Sequence, residues 1–477
     1  MVKDIQSSSK SKRPLIVMKF GGTSVGNAER MQNVAEIVEE HARRADVAVV
    51  VSAMGGVTDM LVRAATAASL GVEKQWKGSR QELAHRHREV ADQLLSAGEQ
   101  AAVLPRLAEQ VKHYEDLCSG FTLVREVTPR GMDTLSSLGE VMSATLMAAI
   151  LRSRGVSAEA VDATELIVTN DNFGNASPLF DETNAKAGQR LGALRHSGVI
   201  PVITGFRGAT SEGVCTTLGR GGSDYSATII GAAMDADAVW IWTDVDGVMT
   251  ADPRLVPEAR ILPEISYREA IELSFFGAKV LHPKTIQPVM NKRIPVWIKN
   301  SFNASCPGTK IVDAPTDGHC GIKAITSVKD ADLVTLSSRN TLSFPQLATR
   351  VFESLSVENV STLMVTQSSA DNVLSFAVHH ADFRRVKTRL EKNFELEMLH
   401  DYVGPLEVMS KIAIVVTVGE HMKGTPGIAG RAFGALGRQG INIIAIAQGS
   451  SELSISFAVK ASDMKAAVQA VHEEFQL

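Results

Sequence analysis

Leu15-Ile16-Val17-Met18-Lys19-Phe20-Gly21-Gly22-Thr23-Ser24 is a short apolar run that stops at a pair of glycines. Such a run, followed by the helical spacing of Ala28–Ala42, reads as a buried strand feeding a helix. Val47–Ser52 is a second apolar run, and another helical segment opens at Thr58. Strand, helix, strand is the unit of a parallel sheet, and further runs at Val199–Thr204, Ala238–Trp242 and Pro295–Ile298 extend it. The chain as far as Asn300 therefore reads as one α/β domain with a mainly parallel sheet. A polar stretch from Glu73 to Asp116 interrupts the alternation and reads as a helical excursion on the surface.

Composition narrows the classes of partner. The 477 residues call for about three domains, and 44% hydrophobic with 21% charged residues is the balance of a folding chain. Lys and Arg number 49 against 53 Asp and Glu, a net charge of −4, so no global basic excess drives binding to nucleic acid or to an anionic membrane. Apolar runs such as Val47–Val51 and Ile412–Val416 are far shorter than the roughly 20 residues that span a bilayer. Residues 1–13, Ser/Lys-rich and without an apolar core, read as a flexible tail and not as a secretory signal, which points to the cytoplasm. Cys118, Cys215, Cys306 and Cys320 are too scattered for a zinc site and read as reduced thiols. His85/His87 and His379/His380 lie in polar surroundings and read as solvated.

After Asn300 a cluster of turn formers, Asn303, Pro307, Gly308, Pro315 and Gly318, marks a boundary. Beyond it the chain repeats itself. Gln367 and Gln448 stand 81 positions apart, and the same offset lays Phe352 on Phe433, Leu355 on Leu436, Val360 on Ile441, Asp382 on Asp463 and Phe394 on Phe475. Each copy reads strand, helix, strand, strand, helix, an α+β module with helices on one sheet.

Four places could carry chemistry. In Lys19–Ser24 the glycines let backbone amides approach an anion and Lys19 adds a full charge, so the loop is a phosphate site or simply a tight turn. In Leu218-Gly219-Arg220-Gly221-Gly222-Ser223-Asp224 the guanidinium can grip a carboxylate or phosphate bidentately, while Asp224 is either part of that site or a helix cap. The acidic turn Thr243-Asp244-Val245-Asp246-Gly247 follows a strand end, where nucleotide hydroxyls or a metal would be met, but Asp-Gly is also a turn signal. Lys279 is a lone cation in the apolar segment Phe276–Pro283, and Glu140, in Ser136–Glu140, is a second candidate; the ordinary readings are a solvated lysine and a helix-surface acid.

Taken together and in this order, Lys-Phe-Gly-Gly-Thr-Ser, Leu-Gly-Arg-Gly-Gly-Ser-Asp, Trp-Thr-Asp-Val-Asp-Gly and Phe-Gly-Ala-Lys-Val-Leu-His-Pro resemble the aspartate kinases of the amino acid kinase family, across the whole chain after the tail. The resemblance implies a carbamate-kinase-like three-layer α/β sandwich over residues 14–303, followed by two ACT modules. These are 304–398 with a linker, and 399–477, with a strand near 320–326 as a candidate for completing the second. In that family the first module is inserted within the second. Lys423-Gly424-Thr425-Pro426-Gly427 and Ala447–Glu452 are most similar to threonine-responsive aspartokinase–homoserine dehydrogenases, and the 477 residues end before any dehydrogenase segment.

The implied reaction moves the ATP γ-phosphoryl group to the β-carboxylate of L-aspartate, giving 4-phospho-L-aspartate and ADP. The resemblance places Lys19, Asp224 and Lys279 in catalysis, with Arg220 on the α-carboxylate and Glu140 on the α-ammonium of aspartate. Ser52, Thr58 and Phe206 would also face aspartate. Gly21, Gly22, Gly221, Gly222, Thr243, Asp244 and Arg254 would contact ATP, with Mg²⁺ held mainly through the ATP phosphates and no metal site of the protein's own. Met249 departs from the Tyr that relatives often carry beside the nucleotide. Feedback through Gln367 and Gln448 is expected, with threonine favoured over lysine as effector, and a homodimer through the ACT modules. The product would feed lysine, threonine, methionine or ectoine synthesis. Two other readings stand beside this one: a glutamate or acetylglutamate kinase, which need not keep the Arg220/Glu140 pair, and a catalytically dead sensor, which would lose the cations.

Overall fold

The computed structural model describes residues 13–277, 281–316, 321–339, 342–368 and 372–477. The first elements are β1 (Leu15–Phe20), α1 (Ala28–Ala42), β2 (Asp46–Val51), α2 (Val57–Ser69), α3 (Glu73–Leu94), α4 (Ala97–Val124), α5 (Pro129–Ser136), α6 (Leu138–Ser153), β3 (Ala158–Val161) and β4 (Val168–Thr169). Then come α7 (Phe180–His196), β5 (Ile200–Thr204), β6 (Arg207–Thr210), β7 (Cys215–Thr217), α8 (Gly222–Ala233), β8 (Ala238–Thr243), β9 (Glu264–Ser266), α9 (Tyr267–Phe275), α10 (Pro283–Lys292), β10 (Val296–Asn300) and β11 (Thr309–Val312).

Eight strands form one sheet in the order β3-β5-β2-β1-β8-β10-β11-β9, parallel at every pairing except β10 with β11. Alternation along the strands sends side chains to two faces, and both are covered. Met18, Phe20, Val47, Val49 and Val51 join a core with α1, α2 and α6, whereas Val17 and Val239 lie against Gly231 of α8 on the other face. This is the three-layer arrangement. A small second sheet, β4-β6-β7, sits beside it.

The surface reading of Glu73–Asp116 needs correction. The segment is helical, but Trp76, Leu83, Val90, Val103, Leu107, Val111 and Tyr114 line its inner side and belong to the main core, as do Cys118 and Phe121 farther along α4. His87, expected in solvent, is fully buried: its Nδ1 lies 2.8 Å from the Leu83 carbonyl, and burial pushes its pKa down to about 4. His85, His379 and His380 are exposed as expected. Pro129–Ser153, continuous through α5 and α6, is long and apolar enough to cross a bilayer, but most of it is packed inside the protein. Cys118, Cys215 and Cys306 are free thiols; Cys320 lies outside the described residues.

The repeat supplies β12 (Ala324–Ser337), α11 (Phe344–Val357), β13 (Met364–Ser368), β14 (Val373–His379), α12 (His380–Asn393) and α13 (Glu395–Leu399), then β15 (Glu407–Val418), α14 (Ile428–Arg438), β16 (Ala445–Gln448), β17 (Ser454–Lys460) and α15 (Met464–Phe475). Its six strands form a single antiparallel sheet, β13-β14-β12-β15-β17-β16. The two long central strands each serve both copies. Ala324–Val328 pairs with Ile414–Val418 beside β17, while Ala331–Ser337 pairs with β14 and with the start of β15. Between these halves the register shifts at a bulge, and Asp330 takes a positive φ of 59°, which lets one strand pass from one module to the other. The repeat also holds in its contacts: Arg350 stacks on Phe394 and Arg431, 81 positions on, stacks on Phe475, each 4.3 Å from the ring centre.

By contact the chain divides into two units. The first takes in residues up to Gly247 with Pro263–Tyr267 and Leu281–Pro315; the second takes in Val248–Leu262, Arg268–Val280 and Thr316–Leu477.

Candidate active site

Parallel strands end at a common edge, and it is there, past β1, β2, β5 and β8, that the glycine loops gather. Gly22 is required by close approach: a Cβ on it would stand 2.8 Å from the Ala53 carbonyl oxygen. Gly219 and Gly221 both take positive φ, 77° and 71°, which turns the chain sharply into α8. The result is a cavity of about 580 Å³ lined by Lys19, Gly22, Ser52, Thr58, Glu140, Phe206, Arg220, Gly221, Gly222 and Asp224 among others. Residues separated by two hundred positions thus face one volume.

Lys19 Nζ and Asp224 Oδ1 form an ion pair at 2.5 Å, both largely buried. Asp224 is no helix cap, since Gly221 occupies that position and no side chain caps α8. Glu140, in the first turn of α6, is 3% exposed, and one carboxylate oxygen, Oε2, has no hydrogen-bond partner among the described residues. Burial pushes its pKa up to about 7 against the opposing pull of the Ala53 and Glu140 backbone amides and the Arg207 charge. Phe206 stands at a positive φ of 69°, its amide donating to Ser226 Oγ at 3.0 Å. A bulky residue held there is backbone strain maintained by its surroundings. Arg220 is exposed and has no ion-pair partner among the described residues.

Thr243 and Asp244 lie at the end of β8 and do not line the cavity; Thr243 Oγ1 donates to Asp244 Oδ1 at 3.3 Å. Gly21 donates its amide to the Trp242 carbonyl at 3.3 Å. Arg254 belongs to the Val248–Leu262 segment of the second unit, where its exposed guanidinium is held by Asp252 at 2.6 Å. Lys279 lies outside the described residues. Gln367 is the next-to-last residue of β13 and Gln448 ends β16, both exposed on the two edge strands of the repeat sheet.

Sequence reasoning passed over Asp133. It is buried on α5 and accepts from the Gly174 amide at 2.9 Å, the Thr217 amide at 2.9 Å and Thr217 Oγ1 at 2.8 Å, tying two loops that approach the cavity. Burial raises its pKa against those three bonds. Asp59, which carried no motif of its own, also lines the cavity, as does Ser223 of the second glycine loop.

The amino acid kinase family matches residues 14–300, and the ACT domain matches 334–394 and 415–475. The chain belongs to the amino acid kinase family. It is 34% identical to the chloroplastic bifunctional aspartokinase/homoserine dehydrogenase 2 of Arabidopsis thaliana over 97% of its own length, but spans only 50% of that relative. Aspartokinase 1 of the same plant, also chloroplastic, is 33% identical, with 96% of this chain and 80% of the relative covered. Among solved structures, E. coli aspartokinase III in complex with aspartate and ADP superposes with a TM-score of 0.81 at 30% identity, covering 97% of this chain and 100% of that one. The same enzyme in complex with lysine and aspartate gives 0.80 at 31%, covering 97% and 99%.

Proposed function

We propose that this member of the amino acid kinase family is an aspartate kinase. The observation that carries the reading is the meeting, in the cavity that also holds the Lys19–Asp224 pair, of two groups without a partner among the described residues: the buried Glu140 Oε2 and the Arg220 guanidinium. An amino acid with a carboxylate side chain satisfies all three. Its ammonium pairs with Glu140, its α-carboxylate with Arg220, and its β-carboxylate turns toward Lys19.

A carboxylate acceptor is already ionised at neutral pH, so no general base is needed. The obstacle is repulsion between acceptor and triphosphate, and Lys19 offsets it as charge shifts onto the transferring group. Asp224 holds the Lys19 ammonium in place. Gly22 and Gly221 line the cavity without a side chain, which leaves room for phosphate oxygens to approach the backbone. Mg²⁺ would arrive on the ATP phosphates. Bound there, Mg²⁺ supplies further neutralisation of phosphate charge.

Effector control through Gln367 and Gln448 is part of this proposal, with threonine favoured by the local sequence and lysine its rival. The deciding experiment is ATP-dependent hydroxamate formation with aspartate, glutamate and acetylglutamate. Aspartyl hydroxamate should form selectively; preference for either other acid would overturn the assignment.

A further inference from the structure

The strands that carry the glycine loop and the acidic turn are joined by a chain of two hydroxyls. Ser301, just past β10 and 2% exposed, donates its Oγ proton to the Thr243 carbonyl at 3.1 Å, and its amide donates to the same oxygen at 2.9 Å. Ser24 Oγ, also buried, lies 2.8 Å from Ser301 Oγ. A hydroxyl has one proton to give. Since that of Ser301 goes to Thr243, Ser24 must be the donor between them, and the chain runs from Ser24 to Ser301 to the Thr243 carbonyl. Ser301 is itself pinned: its carbonyl accepts from Asn33 Nδ2 at 2.5 Å, and its neighbour Asn300 donates to Asp246 Oδ1 at 2.8 Å, an oxygen that also takes Asn303 Nδ2 at 3.0 Å. Lys299, one position earlier, donates to the Pro307 carbonyl at 3.0 Å and lies 5.3 to 5.7 Å from the ring centres of Trp240, Trp242 and Trp297.

We propose that Ser301 is a positioning residue for the nucleotide: through Ser24 and Thr243 it sets the separation between the phosphate loop and the turn after β8. The inference rests on the kinase reading, in which these two loops hold ATP. A gap fixed by buried hydrogen bonds is preorganised, so the loops need not be ordered when the nucleotide arrives. Aspartate, bound by Arg220 and Glu140, does not depend on that gap.

Steady-state kinetics and ADP calorimetry on wild type, Ser301→Ala, Ser24→Ala and the double variant test this. Loss of one net hydrogen bond corresponds to about a three- to tenfold change. Ser301→Ala should raise KM for ATP and Kd for ADP by that factor and leave KM for aspartate unchanged. The double variant should be no worse than either single one, because both break the same chain. Should Ser301→Ala not fold, Ser24→Ala reads the chain from its other end. Unchanged ADP affinity in the folded variants, equal losses for aspartate and ATP, or additive effects would each overturn the positioning role while leaving the kinase reading intact. A wild type that binds no ADP and makes no aspartyl hydroxamate would overturn both.

Discussion

At the scale of residues, the cavity separates tasks that the sequence only juxtaposes. Lys19 is buried against Asp224 whereas Arg220 is open to solvent, so the two cations should fail differently when removed. Lys19→Ala should lower kcat on the order of 10²-fold or more, and Arg220→Ala should chiefly raise KM for aspartate. Near-normal turnover by a folded Lys19→Ala enzyme would remove Lys19 from the transition state. Glu140 makes a prediction about pH. With its pKa raised to about 7 it is neutral below that pH and would lose the attraction proposed for the substrate ammonium. KM for aspartate should therefore climb as pH falls, about tenfold per unit once below the pKa. The same shift acts on stability with the opposite slope: the native state holds this proton more tightly than the unfolded chain, so the free enzyme should lose stability as pH rises from about 4.5 to about 7. Rate measurements across this range on wild type and Glu140→Gln decide it, since a flat wild-type KM contradicts the assigned role.

Elements explain the one large misreading. In α4 the buried positions 103, 107, 111, 114, 118 and 121 recur every three or four residues, a complete apolar stripe. The polar outer face hid it, and the periodicity was there to be counted. The second unit carries an element-scale test of its own. Glu269 of α9 and Lys323, just before β12, are 1% and 2% exposed and 3.6 Å apart, and Glu269 also accepts from the Glu420 amide at 2.8 Å. Glu269→Gln should remove the charge that faces Lys323 and lower stability by about 1.5 to 3 kcal/mol, with Glu269→Gln plus Lys323→Met recovering part of it. Urea denaturation followed by circular dichroism measures both, and a Glu269→Gln protein as stable as wild type would show that other partners support the lysine.

At the scale of the whole molecule, the repeat sheet ends in two edge strands, β13 and β16, with Val365 and Ile446 exposed on them. Edge strands are commonly covered or shared; β13 and β16 approach each other within the chain, and we propose that a second chain completes their cover. Charging them with Val365→Lys or Ile446→Lys should convert dimer to monomer in sedimentation; a dimer that survives both would place its interface elsewhere. Effector control is a separate matter. An inhibitor must bind the low-activity state better, and a coupling of about 1 to 3 kcal/mol would weaken apparent aspartate affinity roughly 5- to 150-fold. Titrating threonine and lysine against wild type, Gln367→Ala and Gln448→Ala should show threonine inhibition relieved in the variants. Inhibition by lysine alone would reverse the order of effectors.

Local periodicity, glycine loops and an internal repeat were sufficient to read the parallel sheet and the paired modules, because strand, helix and turn preferences act over a few residues. They also identified Lys19, Arg220, Asp224 and Glu140 as candidates while leaving each with an ordinary alternative. Tertiary structure alone decided that Glu140 is buried and that Asp224 pairs with Lys19 and caps nothing, since burial and ion pairing depend on residues far apart in the chain. It alone showed the long strand Ala324–Ser337 serving both repeats, because a bulge and its register are settled by the neighbouring strands. Asp133 and Ser301 carried no local signal at all: each acts by hydrogen bonds to loops it meets only when the sheet has formed.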